Sequence, residues 1–215
     1  MIQFVESKKM IAIIDYGVGN IFSLQSSLKV IGADAVLTDD KNIIEKSDKI
    51  ILPGVGAFGD AAKKLKSSGM WDIVKKEVSE KNKPLLGICL GMQILLQKSF
   101  EYGEHEGLGF IKGDVISMEG IVPNNYKIPH IGWNSLQFPK DKEKSKIYKY
   151  INENDFVYFV HSYFGTNCET SVSATTNYGV ELTASVEFEN VYGTQFHPEK
   201  SGETGLKILK GFCEI

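Results

Sequence analysis

Short apolar runs alternate with amphipathic stretches through the first hundred residues. Nearly continuous apolar runs are typical of strands buried on both faces, and they occupy residues 11–15, 33–37, 49–52 and 85–88. Helical spacing of apolar residues occurs at residues 21–31, 42–46, 58–67 and 70–80. This order predicts an α/β fold with a doubly wound, mostly parallel sheet of the flavodoxin-like kind.

The pattern changes after residue 100. Short strand-like segments, separated by turn residues, are predicted at residues 115–118, 135–138, 156–160, 172–175, 182–186 and 191–196. They predict an antiparallel extension beside the parallel core. The charged run at residues 140–149 is expected to be a solvated helix or loop. We predict one domain over residues 10–215, preceded by a tail at residues 1–9.

A cysteine lies where the fourth predicted strand meets a helix, in the sequence KPLLGICLGMQ at residues 83–93. Gly87 and Gly91 stand two residues either side of Cys89, as glycines do around the nucleophile of a strand-to-helix elbow. The positive end of the following helix dipole favours the thiolate. A buried structural cysteine is the alternative interpretation of this motif alone.

A second glycine-rich loop, PGVG at residues 53–56, follows the third predicted strand. Acyl transfer needs two N–H donors aimed at the developing oxyanion, and Val55 and Leu90 are the candidates. Gly54 and Gly56 would let the Val55 peptide turn toward or away from the site, so the loop is a candidate switch. An ordinary turn after a strand is the alternative.

The sequence QFHPEKS at residues 195–201 ends the last predicted strand. His197 is the candidate base for the thiol, and Glu199 is the candidate group that orients its imidazole. A metal site is disfavoured because no second histidine stands at ligand spacing. The remaining histidines, His105, His130 and His161, are expected to be hydrogen-bonded structural residues.

Composition narrows the function classes. A net charge of -3 without a basic tract argues against nucleic acid or an anionic membrane as partner. Three cysteines without C-x-x-C spacing, and no signal peptide or long apolar run, predict a cytoplasmic, reducing location. All 24 basic residues are lysine, so an anionic ligand must be held by lysine, backbone N–H groups, helix ends or a partner chain.

With both motifs in view, the chain resembles the class I, triad-type glutamine amidotransferases from residue 11 to residue 212. The elbow GICLGMQ together with QFHPE carries the resemblance. Within that family, four segments are similar to the glutaminase subunits of imidazole glycerol phosphate synthases. They are DYGVGN at 15–20, PGVGAF at 53–58, PHIGWN at 129–134 and HPEKS at 197–201.

The resemblance implies hydrolysis of L-glutamine to glutamate and ammonia through a γ-glutamyl thioester on Cys89, with His197 and Glu199 completing the triad. It also implies that no metal or other cofactor takes part. The ammonia would pass, sheltered from water, to a (β/α)8-barrel cyclase subunit. That subunit would use it to make imidazole glycerol phosphate and an aminoimidazole carboxamide ribonucleotide for histidine synthesis.

Further residues match family positions with a role in binding. By resemblance, the side chains of Gln93 and Glu101 bind the glutamine head, and the backbone of Ser162 and Tyr163 supports its carboxylate. Positions at the interface with the cyclase are matched by Asn20, Trp133 and Lys200, and Lys200 is expected to form a salt bridge there.

Three alternatives remain open from the sequence. A paralogous subunit that feeds ammonia to a surface-polysaccharide sugar amidotransferase would share the donor chemistry. A non-catalytic docking or regulatory module would be favoured by loss of a triad residue, and none is lost. A stand-alone cysteine hydrolase of the peptidase or chaperone type would be recognised by activity that does not depend on a second protein.

Overall fold

The computed structural model describes residues 9–215, so most of the predicted tail at residues 1–9 lies outside it. The helices are α1 Ile21–Val30, α2 Lys41–Lys46, α3 Phe58–Ser67, α4 Met70–Ser79, α5 Leu90–Leu95 and α6 Gly202–Cys213. The strands are β1 Met10–Ile14, β2 Asp34–Thr38, β3 Lys49–Leu52, β4 Leu85–Ile88, β5 Lys98–Ser99, β6 His105–Glu106, β7 Asp114–Ser117, β8 His130–Ser135, β9 Phe156–His161, β10 Tyr163–Thr166, β11 Val172–Asn177, β12 Glu181–Phe188 and β13 Val191–Thr194.

The central sheet has seven strands in the order β11-β12-β13-β4-β3-β1-β2. The pairs that join β2, β1, β3, β4 and β13 are parallel. The pairs β11/β12 and β12/β13 are antiparallel, so β11 and β12 extend one edge of the parallel core. The predicted α/β fold and its antiparallel extension are therefore confirmed.

Both faces of this sheet are covered. Ala12 and Ile14 of β1 belong to the apolar core on one side, which also contains residues of α3, α4 and α5. Ile11 and Ile13 of the same strand belong to the core on the other side, with residues of α1 and α6. Because neighbouring side chains of a strand point to opposite faces, a strand buried on both faces needs the continuous apolar run that the sequence shows.

Two smaller sheets lie outside the central one. The strands β10, β7, β5 and β6 form a four-stranded mixed sheet. The strands β8 and β9 form a separate antiparallel ribbon, in which Trp133 faces Tyr158 across the pair. The backbone N–H of His197 donates to the carbonyl of Tyr158 at 3.0 Å, so the ribbon is joined directly to the segment that carries the candidate base.

Some sequence predictions are wrong in detail. The strand expected at residues 135–138 lies at His130–Ser135, and Gln137 forms only an isolated bridge with Thr175. The charged run is not wholly solvated, because Ile147 and Tyr148 lie in a buried 3-10 turn. The pattern analysis did not predict α6 or β10. No helix among residues 9–215 is long and apolar enough to span a bilayer.

Candidate active site

The predicted elbow is present between β4 and α5. Cys89 has φ +54°, which is in the left-handed region and unusual for a residue with a side chain. A Cβ on Gly91 would lie 1.9 Å from the carbonyl oxygen of Leu52, and one on Gly87 would lie 2.7 Å from the carbonyl oxygen of Gly91. Glycine is therefore required at both positions for the chain to turn this sharply and present the thiol.

His197 and Glu199 lie beside Cys89 because β13 is the parallel neighbour of β4. Thr194 is level with Ile88 in this pair, and the backbone N–H of Cys89 donates to the carbonyl of Thr194 at 2.7 Å. Nδ1 of His197 lies 2.8 Å from Oε1 of Glu199, with both side chains almost fully buried. Two parallel strands thus bring the three candidate triad residues together at the carboxyl ends of the strands, where ligands bind in doubly wound folds.

The electrostatics favour a protonated His197. Burial alone lowers its pKa, but hydrogen bonds to Cys89 and Glu199 and the negative charges of both groups outweigh burial and raise the pKa to about 9. An imidazolium ring is therefore held beside the sulfur at neutral pH. This is the arrangement that a cysteine nucleophile requires, since the thiolate is the reactive form.

The residues of the candidate oxyanion donors line the same cavity as Cys89. Among residues 9–215, the backbone N–H groups of Val55 and Leu90 have no hydrogen-bond partner. Tyr16 supports the Val55 loop from below by donating its hydroxyl to the carbonyl of Pro53 at 2.7 Å. Burial, and then the charge of Cys89, raise the pKa of Tyr16, so the hydroxyl stays protonated as a donor. Gly54 packs against the elbow, where an added Cβ would lie 2.8 Å from the backbone nitrogen of Gly91.

A cavity of about 720 Å³ opens above Cys89. It brings together most of the residues that the sequence assigned to catalysis and substrate. These are Val55, Gly56, Cys89, Leu90, Gln93, Glu101, Ser162, Tyr163 and His197. Gly54 and Glu199 lie behind this lining, against the elbow and against His197.

Polar contacts orient the substrate-side residues. Oε2 of Glu101 accepts the backbone N–H of Phe58 at 2.6 Å, where α3 begins. Nε2 of Gln93 donates both to the carbonyl of Tyr163 and to Oε1 of Gln195, each at 3.0 Å. Both N–H groups of the Gln93 amide therefore form hydrogen bonds within the protein, and its Oε1 can accept a hydrogen bond from a ligand.

Of the predicted interface residues, Lys200 also lines this cavity, whereas Trp133 and Asn20 are not part of its lining. Trp133 is 55% exposed on β8, and its ring meets Tyr158 edge to face at 6.0 Å. The ammonium of exposed Lys200 lies 5.9 Å from the ring centroid of Tyr158. Trp133 and Lys200 therefore share one aromatic neighbour. Asn20 caps the start of α1 without a side-chain hydrogen bond.

Two of the remaining histidines form a buried pair. Nδ1 of His130 lies 3.2 Å from Nε2 of His161, and the His130 ring stacks on Tyr178 at 3.9 Å. Burial lowers the pKa of His130 to about 4 and that of His161 to about 3, so both rings are neutral. His130 and His161 are therefore hydrogen-bonded and buried, as expected of structural histidines.

Two polar groups at the sulfur were not assigned from the sequence. The carbonyl oxygen of Val160 lies 4.0 Å from Sγ of Cys89, and Nε2 of Gln195 lies 3.7 Å from it. Gln195 stands within the motif that supplied His197, so its position could have signalled a role. Within residues 9–215, no group of three or more His, Cys, Asp or Glu side chains could hold a metal ion.

A thiol on a strand-to-helix elbow, paired with a buried His–Glu couple on the adjacent parallel strand, defines a cysteine-dependent acyl-transfer site on a doubly wound α/β sheet. Comparison with known proteins narrows this class. The model of the family "Glutamine amidotransferase class-I" matches residues 12–214. The chain belongs to the class I glutamine amidotransferase family.

Relatives named "imidazole glycerol phosphate synthase subunit HisH" match along nearly the whole chain. The one from Caldanaerobacter subterraneus subsp. tengcongensis is 51% identical, over 96% of this chain and 98% of the relative. The one from Aquifex aeolicus is 47% identical, over 93% and 94% of the two chains. The one from Methanothermobacter thermautotrophicus is 46% identical, over 96% and 98%.

Solved structures of lower identity share the fold. A crystal structure described as a glutamine amidotransferase has a TM-score of 0.72 at 20% identity, and covers 95% of this chain and 97% of its own. The structure of PurLQS from Thermotoga maritima has a TM-score of 0.71 at 21% identity, and covers 97% and 99%.

Proposed function

We propose that the chain acts as the glutaminase subunit of an imidazole glycerol phosphate synthase. It would hydrolyse L-glutamine and deliver ammonia to a (β/α)8-barrel cyclase subunit in histidine biosynthesis. The observation that carries the chemistry is the buried ion pair between His197 and Glu199 beside Cys89, at the floor of a cavity of about 720 Å³. Identities of 46–51% along nearly the whole chain support the choice of pathway.

The first half of the reaction forms a thioester. The Cys89 thiolate attacks the γ-carboxamide carbon of glutamine, and the N–H groups of Leu90 and Val55 stabilise the oxyanion. The imidazolium of His197 then donates its proton to the departing nitrogen. The C–N bond breaks, ammonia leaves, and the glutamyl group remains on sulfur.

The second half reverses these roles. Neutral His197 takes a proton from a water molecule, which attacks the thioester carbon. The C–S bond breaks, glutamate leaves, and the thiolate is restored beside a protonated ring. Glu199 keeps the ring in one orientation through both halves, with its hydrogen bond to Nδ1 leaving Nε2 for the sulfur and the water.

The cavity offers complementary groups for an α-amino acid. Oε1 of Gln93 and the remaining oxygen of Glu101 are acceptors suited to an α-ammonium group. By the family resemblance, backbone N–H groups at Ser162 and Tyr163 would hold the α-carboxylate, which suits a chain without arginine. Sheltered delivery of the product has a physical reason, since free ammonia is mostly protonated in neutral water and ammonium is not a nucleophile.

The test is glutamate release by the purified chain, alone and with the organism's cyclase subunit carrying its nucleotide ligand. We expect a low rate alone and strong stimulation in the mixture. Stimulation that is absent with this cyclase but present with a surface-polysaccharide sugar amidotransferase would assign the chain to the paralogous pathway. No glutamate under any condition would contradict the glutaminase.

A further inference from the structure

Gln195 is a fully buried polar residue that the mechanism above leaves without a role. It follows β13 directly, one residue beyond Thr194, which is level with Ile88, and Cys89 is likewise one residue beyond Ile88. Its amide nitrogen lies 3.7 Å from the sulfur, within hydrogen-bonding range for that larger atom. The pairing of β13 with β4 therefore places the Gln195 amide, as well as His197, beside the sulfur of Cys89.

The neighbours of Gln195 determine which end of its amide faces the sulfur. The carbonyl oxygen of Tyr163 can only accept, so Gln93 must turn its NH2 group toward it. The same NH2 group reaches Gln195, which must therefore present Oε1. The NH2 group of Gln195 is then left to face Cys89. An amide flip at Gln195 would set two donors against each other at the Gln93 contact.

The buried histidine pair fixes the position of the Tyr163 carbonyl, which orients the Gln93 amide. Nδ1 of His161 lies 2.9 Å from the carbonyl oxygen of Tyr163 and must donate to it. Nε2 of neutral His161 is then an acceptor, and Nδ1 of His130 is its donor at 3.2 Å. The Tyr163 carbonyl thus accepts from His161 and from Gln93. Its position and that of the Gln93 amide are fixed from two sides.

We propose that Gln195 is a further catalytic residue, which donates an N–H to the Cys89 thiolate and is held in the donating orientation by Gln93 and the Tyr163 carbonyl. The donor stabilises the thiolate before attack and again when the C–S bond of the thioester breaks. Hydrogen bonds to an ionised partner are roughly twice as strong as neutral ones, so the effect depends on the charge of the sulfur. The inference rests on the proposed role of Cys89 as nucleophile.

The test replaces Gln195 by methionine, which is also unbranched, has a similar length and has no N–H. The thiolate is followed by its ultraviolet absorbance and by the rate of iodoacetamide labelling against pH, with Cys89→Ser as the background for the other two cysteines. We expect the transition in Gln195→Met to move to higher pH by about one pH unit, a tenfold change in the thiolate equilibrium. Neither readout uses glutamine, so a failure here is distinct from a failure of the glutaminase assignment.

Thr176→Val is the matched control, because Thr176 is equally buried and loses one hydrogen bond, to the carbonyl of Ser135, far from the sulfur. Its labelling profile should match the unmodified protein. A folded Gln195→Met with an unchanged labelling profile would overturn the proposal, since a merely structural glutamine would alter stability alone.

A second measurement needs no substitution at Gln195. In the unmodified protein, the side-chain amide protons of Gln195 should shift in NMR spectra with the same pH midpoint as the thiolate absorbance. In Cys89→Ser that response should vanish. If the chemical shifts of these amide protons do not change when the sulfur ionises, the proposal is overturned, even if Gln195→Met does not fold.

Discussion

At the scale of single residues, the active site depends on one uncommon backbone angle. Cys89 holds φ +54°, a conformation that costs a side-chain-bearing residue about 1–3 kcal/mol. The cost is offset by the packing of β4 and α5, whose Ile88 and Leu95 are buried on either side of the turn. The thiol is thereby raised out of the strand toward the cavity, where a relaxed strand residue would point into one of the two cores.

The three thiols differ sharply in surroundings. Cys168 is buried and its pKa is raised by burial, and burial raises the pKa of Cys213 to about 11. Cys89→Ser should lower glutamate release in the stimulated complex roughly a thousandfold or more. Cys168→Ser and Cys213→Ser should leave the rate within about twofold, because neither sulfur is activated. A comparable loss in either of these two would mean that the nucleophile is misplaced.

His197 makes stability depend on pH. Its folded-state pKa is raised to about 9, so its contribution is complete below about pH 6.5, the ordinary value, and is lost as pH rises through about 9. The contribution is on the order of 3 kcal/mol. Urea unfolding should show the unmodified protein losing its advantage over His197→Asn across this window. In Glu199→Gln the loss should be smaller and complete at a lower pH, because Glu199 helps to raise the pKa of His197, and parallel curves for unmodified and His197→Asn protein would contradict the pairing.

The sequence supplied the candidate triad but not the contacts that surround the sulfur. Cys89, His197 and Glu199 stand in two short local motifs, so they could be recognised as candidates without knowledge of the fold. The hydrogen bond from Gln195 to sulfur depends on the register between β4 and β13, which are separated by more than a hundred residues of chain. No local pattern encodes that register.

At the scale of elements, the elbow depends on the close approach of α5 to β3. Gly91→Ala would place a methyl group 1.9 Å from the carbonyl oxygen of Leu52, and backbone atoms cannot yield as a side chain can. We expect a loss of more than about 3 kcal/mol in unfolding free energy, measured in urea.

Gly120→Ala is the control for this substitution, because it meets open space but has φ +76°. Its backbone strain should cost about 1–2 kcal/mol. Gly91 lies in α5 and has no positive φ, so the cost there comes from the contact with β3; a loss at Gly91 no larger than the loss at Gly120 would contradict a severe contact.

The errors in predicting helices and strands from the sequence have physical reasons. Leu136 is buried like a strand residue, but residues 136–138 form only a bridge, so burial did not imply a ladder. The ribbon strand β8 exposes Ile131 and Trp133 and lacks the apolar alternation of a buried strand. Gly205 and Gly211 lower the intrinsic helix propensity of α6, and at both positions the helix approaches a backbone carbonyl, of Pro198 and Ile147 respectively, too closely for a Cβ.

At the scale of the whole molecule, the exposed aromatic Trp133 lies on the β8/β9 ribbon and shares its neighbour Tyr158 with Lys200. If it anchors the cyclase, Trp133→Ala should weaken association by about 2 kcal/mol, or roughly 30-fold, measured by titration calorimetry. Phe188→Ala is the matched control, since Phe188 is similarly exposed at 49% but stands where β12 turns toward the start of β13, at the other end of the strands. Equal effects of both substitutions would argue against a docking face at Trp133.

The pairing of β4 with β13 also has a consequence for how the protein is made. Gln195 follows Cys89 by 106 positions, so the cysteine leaves the ribosome long before its activating neighbours are synthesised. Until β13 is translated and docks beside β4, the thiol has neither His197 nor Gln195 next to it. If these residues activate the thiol as proposed, the nascent chain carries an ordinary cysteine, and its sulfur becomes reactive only when β13 pairs with β4.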